Sequence, residues 1–157
     1  MYPARTRLSQ TLLLFAALLL AGCGKDTGKV SLGWFTLKDL VIRDFADPLI
    51  PGVTCHIASV EANLSLADPS NSSIACRQTG PIHAADIERI DRSERGEQVF
   101  KQSKSVLFKS LKVRRIFDEK NQTLLYLSYS TKESEGSHKH ALSTVALWGT
   151  DAYHTGP

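Results

Sequence analysis

Three thiols and a pair of closely spaced imidazoles are the side chains of this 157-residue chain whose type and spacing could do chemistry. Cys55 and Cys76 each sit on an apolar alternation: Val53, Cys55 and Ile57 fall on one strand face, and Ile74 and Cys76 on another. That parity turns both sulfurs inward, and in an oxidising compartment such a pair is expected to form a disulfide. Closing the loop between them would restrain the unfolded chain by about 3 kcal/mol. Two rival chemistries stay open at this level. A redox-active pair is usually spaced Cys-x-x-Cys, which is absent, and a metal site would need further ligands. His138 and His140 would face the same way on a strand and could share a metal, but the polar stretch Gly136–His140 reads as an exposed turn with solvated imidazoles. His56 falls on the strand face opposite Cys55, while His83 and His154 have no companions in the sequence. No metal, cofactor or catalytic residue is therefore expected. Phosphate-loop, His-Glu-x-x-His, Gly-x-Ser-x-Gly and Ser-x-x-Lys signatures are missing.

Charge offers a second candidate chemistry. Lys101, Lys104, Lys109, Lys112, Arg114, Arg115 and Lys120 form a basic set, of which Lys109, Lys112, Arg114 and Arg115 are the candidate contacts for a polyanion such as anionic lipid headgroups. Against this, lysines on exposed strand faces and edges routinely discourage sheet-to-sheet aggregation. Strand alternation also splits the set, placing Lys112 and Arg114 opposite Arg115.

The third thiol, Cys23, follows a different kind of sequence. Arg5 and Arg7 precede the apolar run Thr11–Leu20, which is bounded by small residues and is well short of the roughly 20 residues that span a bilayer. Leu19-Leu20-Ala21-Gly22-Cys23 resembles the lipobox of bacterial lipoproteins. By that resemblance residues 1–22 are a signal peptide, Cys23 is the acylated first residue of the mature protein, and residues 23–28 form a tether. A transmembrane or buried core helix and a plain cleavable secretory signal, with Cys23 incidental, are the alternatives. Several acyl chains hold a membrane far more firmly than one. Gly24 and Lys25, with no Asp next to the Cys, resemble the start of lipoproteins sent on to the outer membrane, and the resemblance implies that destination. Removing the leader leaves 135 residues with 17 basic and 16 acidic side chains, a balance that does not favour nucleic acid.

The elements that must position these groups are mostly short strands. Val30 to Leu37 reads as a strand with Val30, Leu32 and Trp34 on one face, and Leu40 to Phe45 as its hairpin partner. Pro48, Pro51 and Gly52 mark a corner before a strand from Val53 to Val60. Asn63 to Ser73 reads as a loop, and Ser73 to Gln78 returns to the sheet. Ala84 to Arg95 is the one helix candidate, with Glu88/Arg92 and Asp91/Arg95 as i,i+4 pairs and Gly96 as its stop. Glu97–Phe108, Leu111–Phe117 and Thr123–Thr131 read as three strands, with Val106, Phe108, Ile116, Phe117, Tyr126 and Tyr129 as packing positions. Ala141–Trp148 is a final strand. The expected fold is mainly β (α+β): antiparallel sheet forming a sandwich or partly closed barrel, with one short helix, as a single domain over residues 29–157.

Val53-Thr54-Cys55, Ile74-Ala75-Cys76-Arg77-Gln78-Thr79-Gly80-Pro81-Ile82, Val106–Val113 and Tyr126-Leu127-Ser128-Tyr129-Ser130 together resemble the CreA family of bacterial envelope proteins, over nearly all of residues 29–146. The resemblance implies a periplasmic protein and carries no established activity or catalytic residues. The chain departs from plain secreted members in its lipobox and in a longer tail past Trp148. These readings converge on a lipid-anchored periplasmic protein, a non-catalytic binding or accessory module whose partners are the membrane and an envelope protein or small-molecule ligand. An envelope hydrolase with an unrecognised site and a structural subunit of an outer-membrane complex are the alternatives.

Overall fold

The computed structural model describes residues 26–33, 35–36, 38–62, 72–103, 110–131 and 138–154. The lipobox, Cys23, Lys104, Val106, Phe108 and Lys109 lie outside them. Among the described residues eight strands and one short helix follow in order: β1 Gly28–Ser31, β2 Lys38–Ala46, β3 Val53–Ala62, β4 Ser72–Gln78, α1 Ala84–Glu88, β5 Glu97–Ser103, β6 Ser110–Asp118, β7 Thr123–Ser130 and β8 His140–Ala146. Each run of four strands pairs with its sequence neighbours, giving two antiparallel meanders, β1-β2-β3-β4 and β5-β6-β7-β8. The fold is thus mainly β and not a closed barrel.

Alternation decides what each meander buries. In the first, Val53, Cys55 and Ile57 of β3 point inward with Ile74 of β4; in the second, Leu111 and Val113 of β6, Leu124 and Tyr126 of β7 and Val145 of β8 do the same. All of these join one buried cluster, which Ile50, Ile82, Ile87 and Ile90 complete from the connecting segments. Phe45 of β2 stacks on Phe100 of β5 with ring centroids 4.6 Å apart, a contact between the two sheets. Burying a side chain of this size contributes about 1.5 to 3 kcal/mol, so this shared cluster is what holds the meanders together.

Where β4 and β8 come alongside, the two edges do not pair as strands. The backbone N–H of Cys76 instead donates to Ser143 Oγ at 2.8 Å. A side chain has taken the place of a ladder carbonyl, and the sheet stays open at that seam.

The helix and the first strand are shorter than the sequence pattern suggests. α1 ends at Glu88, because Asp91 turns back to accept from the Ser93 N–H at 2.8 Å, a local bond that competes with helix continuation. Arg92 reaches Glu119 at 2.6 Å and lies over the Phe117 ring instead of pairing with Glu88. β1 ends at Ser31, and Val30 and Leu32 are 57% and 42% exposed, so they do not form the expected packing face.

Candidate functional site

Cys55 and Cys76 stand directly opposite one another in the β3–β4 register and form a disulfide, with Cα atoms 4.0 Å apart. Cys55 is fully buried and closes the loop beside the inner cluster. Both sulfurs therefore carry structural load in the oxidised protein.

A second inward feature lies on β6, where a charged side chain takes a core position. Along β6 the buried positions are Leu111, Val113 and Arg115, so an arginine occupies a core position and is only 1% exposed. A buried guanidinium must be paired and hydrogen-bonded to be tolerated. Its partner comes from the corner between β2 and β3: Arg115 Nη1 donates to Asp47 Oδ1, across 68 residues of sequence. Arg115 Nη2 donates to Glu97 Oε2 at 2.6 Å. The Asp47 carboxylate also accepts from the Leu49 and Ile50 N–H groups, at 2.9 and 3.0 Å, and from the Tyr126 hydroxyl at 2.8 Å. Four donors on two oxygens use its acceptor capacity. Burial, reinforced by the Asp47 charge, pushes the Tyr126 phenol well above its ordinary value and keeps it protonated as a donor. Among the described residues no buried side-chain polar atom is left without a partner. The cluster clasps the corner of the first sheet to the face of the second. Parity with Leu111 and Val113 is the sequence signal that could have placed Arg115 inside.

Arg115 therefore leaves the set of candidate polyanion contacts: it is committed inward, and its charge does not reach the surface. Lys112 and Arg114 do face outward, but Arg114 Nη1 donates to the carbonyls of Arg95 and Gly96, at 2.7 and 3.0 Å. Gly96 itself passes close against the β6 backbone, since it adopts φ +57° and a Cβ there would meet the Arg115 carbonyl oxygen at 2.0 Å. Lys112 remains, and a β-bulge at Val99 brings Lys101 into register with it. The outward cross-strand row reads Lys101, Lys112, Tyr129, His140.

That row ends at a groove of about 350 Å³ beside the β4–β8 seam. Leu40, Ala58 and Val60, outward positions of the first sheet, form its apolar floor; Ser72 and Ser73 of β4 and Lys139 and His140 of the second sheet line its rim. His140 Nδ1 donates to the His138 carbonyl at 2.8 Å, which turns Nε2 of that ring away from the contact. His138 Nδ1 likewise donates to Ser130 O at 3.1 Å. The two imidazoles are exposed, each with its Nδ1 on a different carbonyl, and among the described residues no three His, Cys, Asp or Glu side chains gather to hold a metal. His83 has a partner from a distant segment, its Nδ1 lying 3.3 Å from Asp151, while at His154 it is the backbone N–H that donates to Gln122 Oε1, at 2.7 Å.

The family model described as CreA protein matches residues 27–150. Protein CreA of Escherichia coli strain K12 is 41% identical over 114 residues, covering 69% of this chain and 72% of its own. The proteins of that name from Escherichia coli O6:H1 and O157:H7 match to the same extent. No solved structure matches. By extent and identity together, the chain belongs to the CreA protein family.

Proposed function

We propose that this CreA-family protein is a non-catalytic binding or accessory module of the bacterial cell envelope, exported to the periplasm and held by lipid on Cys23 to the outer membrane. The observation that carries this reading is the disulfide: a directly opposed Cys55–Cys76 pair fits an oxidising compartment. It agrees with the basic and apolar leader that ends in Leu19-Leu20-Ala21-Gly22-Cys23. In this reading residues 29–157 are one domain, and its two sheets are the layers of a sandwich. The commitment of Asp47, Arg115 and Tyr126 to one another favours a bracing role for the buried polar cluster over an active site.

The test is the mass of the N-terminal peptide of protein isolated from its native membrane. Acyl chains on Cys23 are expected at the first residue. An unmodified N-terminus beginning elsewhere would remove the lipid anchor, and retention of the leader on a cytoplasmic protein would remove the envelope reading altogether.

A further inference from the structure

We infer that the groove at the β4–β8 seam binds an anionic amphiphile, its single apolar chain lying on Leu40, Ala58 and Val60 and its carboxylate or phosphate head directed toward His140, Lys112 and Lys101. This deepens the binding-module reading and rests on it. Three observations converge on that ligand chemistry. Outward positions of an antiparallel sheet facing water are ordinarily polar, yet the groove floor is aliphatic and its volume lies within the range of small-molecule sites. Among the described residues no acidic side chain lines it, which disfavours a cationic head. The row leading from its rim sets Lys101 directly opposite Lys112, an arrangement that costs stability in a bare sheet. Neither ammonium has a carboxylate partner among the described residues. An anion seated along the row would relieve that repulsion. With strands about 4.8 Å apart, Lys112 lies about 10 Å and Lys101 about 14 Å from His140 along the row, distances that the long lysine side chains shorten toward a head group held at His140.

The seam explains why a ligand site arises here and not on a continuous sheet. β4 and β8 meet through the Cys76 N–H and Ser143 Oγ bond without strand pairing. At this open edge Lys139 and His140 of the second sheet stand beside Leu40, Ala58 and Val60 of the first around one groove.

Calorimetric titration of the purified protein with decanoate and with decyl phosphate, below their micellar concentrations, tests this directly. Saturable one-to-one binding is expected, weakened by about tenfold, or about 1.4 kcal/mol, in the Lys101→Glu/Lys112→Glu double variant. Ala58→Phe, which fills the floor from the outward face, should abolish binding. If either variant fails to fold, salt provides the second measurement on the unaltered protein: added salt should weaken decanoate binding and leave decanol unaffected. Absence of saturable binding by both anions would overturn the site. So would decanol binding as tightly as decanoate with no salt dependence. Phosphatidylglycerol vesicles with the Cys23→Ser protein separate the sources of the ligand: vesicle binding lost in the same variants assigns a lipid headgroup, whereas binding confined to the monomeric compounds assigns a free amphiphile. Chemical conversion of the bound amphiphile would contradict the non-catalytic reading and leave the site standing; absence of binding would remove the site and leave that reading untouched.

Discussion

The two faces of the second sheet use their cations in opposite ways. On the inner face Arg115 is buried, with Asp47 and Glu97 fixed on its two terminal nitrogens and Tyr126 sharing the same carboxylate. On the outer face Lys112 and Lys101 face each other across β5 and β6 without an acidic partner among the described residues. Neighbouring residues of one strand thus differ in what they do: the inner charge is consumed in holding the sheets together, and the outer charge is available to a ligand. Basic residue type does not separate these roles. Parity along β6, together with what the opposite sheet supplies, does.

The largest effect should come from removing the inner partner. Asp47→Ala leaves Arg115 as a buried charge short of a partner and should cost about 3 to 5 kcal/mol in urea unfolding; a loss near zero would erase the distinction between the faces. Next, replacing both Cys55 and Cys76 by Ala should cost about 3 kcal/mol, read as a lower denaturation midpoint under the same conditions. Consistently, alkylation of the denatured, unreduced protein should leave both residues unlabelled.

Tyr126→Phe should cost about 1 to 2 kcal/mol, because Asp47 loses one of its four donors. The same variant sharpens the comparison through pH. The folded phenol titrates above its unfolded value, so its contribution is fully present below about pH 10 and is lost as pH rises beyond that. Stability of the unaltered protein should therefore fall through the alkaline range, and Tyr126→Phe should flatten that slope. At the small end, Lys112→Ala should stay within about 0.5 kcal/mol of the unaltered protein, since it removes an outward charge opposed by Lys101.

The parts of this picture that depend on local pattern were legible in the chain. Alternation around Cys55 and Cys76 predicted their inward sulfurs, and turn residues marked the β2–β3 corner. Contacts between distant segments were not legible. Arg115 reads as one more surface cation until Asp47 arrives from the other sheet. The helix seemed longer because Glu88/Arg92 and Asp91/Arg95 satisfy the i,i+4 rule, but tertiary partners took Arg92 away and Asp91 closed on Ser93. The expected packing of Ile116 and Tyr129 also shifted: both are half-buried on the outer face, because the core parity of β6 and β7 belongs to Val113, Arg115 and Tyr126. The groove depends on the β4–β8 seam and the bulge at Val99, neither of which periodicity can place.

The most direct test of the inner and outer division is a double-mutant cycle on Asp47 and Arg115, measured by urea unfolding with Asp47→Ala, Arg115→Met and the two combined. Strong coupling is predicted, with the combined variant losing at least about 2 kcal/mol less than the sum of the single losses. Single losses that simply add would contradict the account, because Arg115 would then not be held in the core by Asp47.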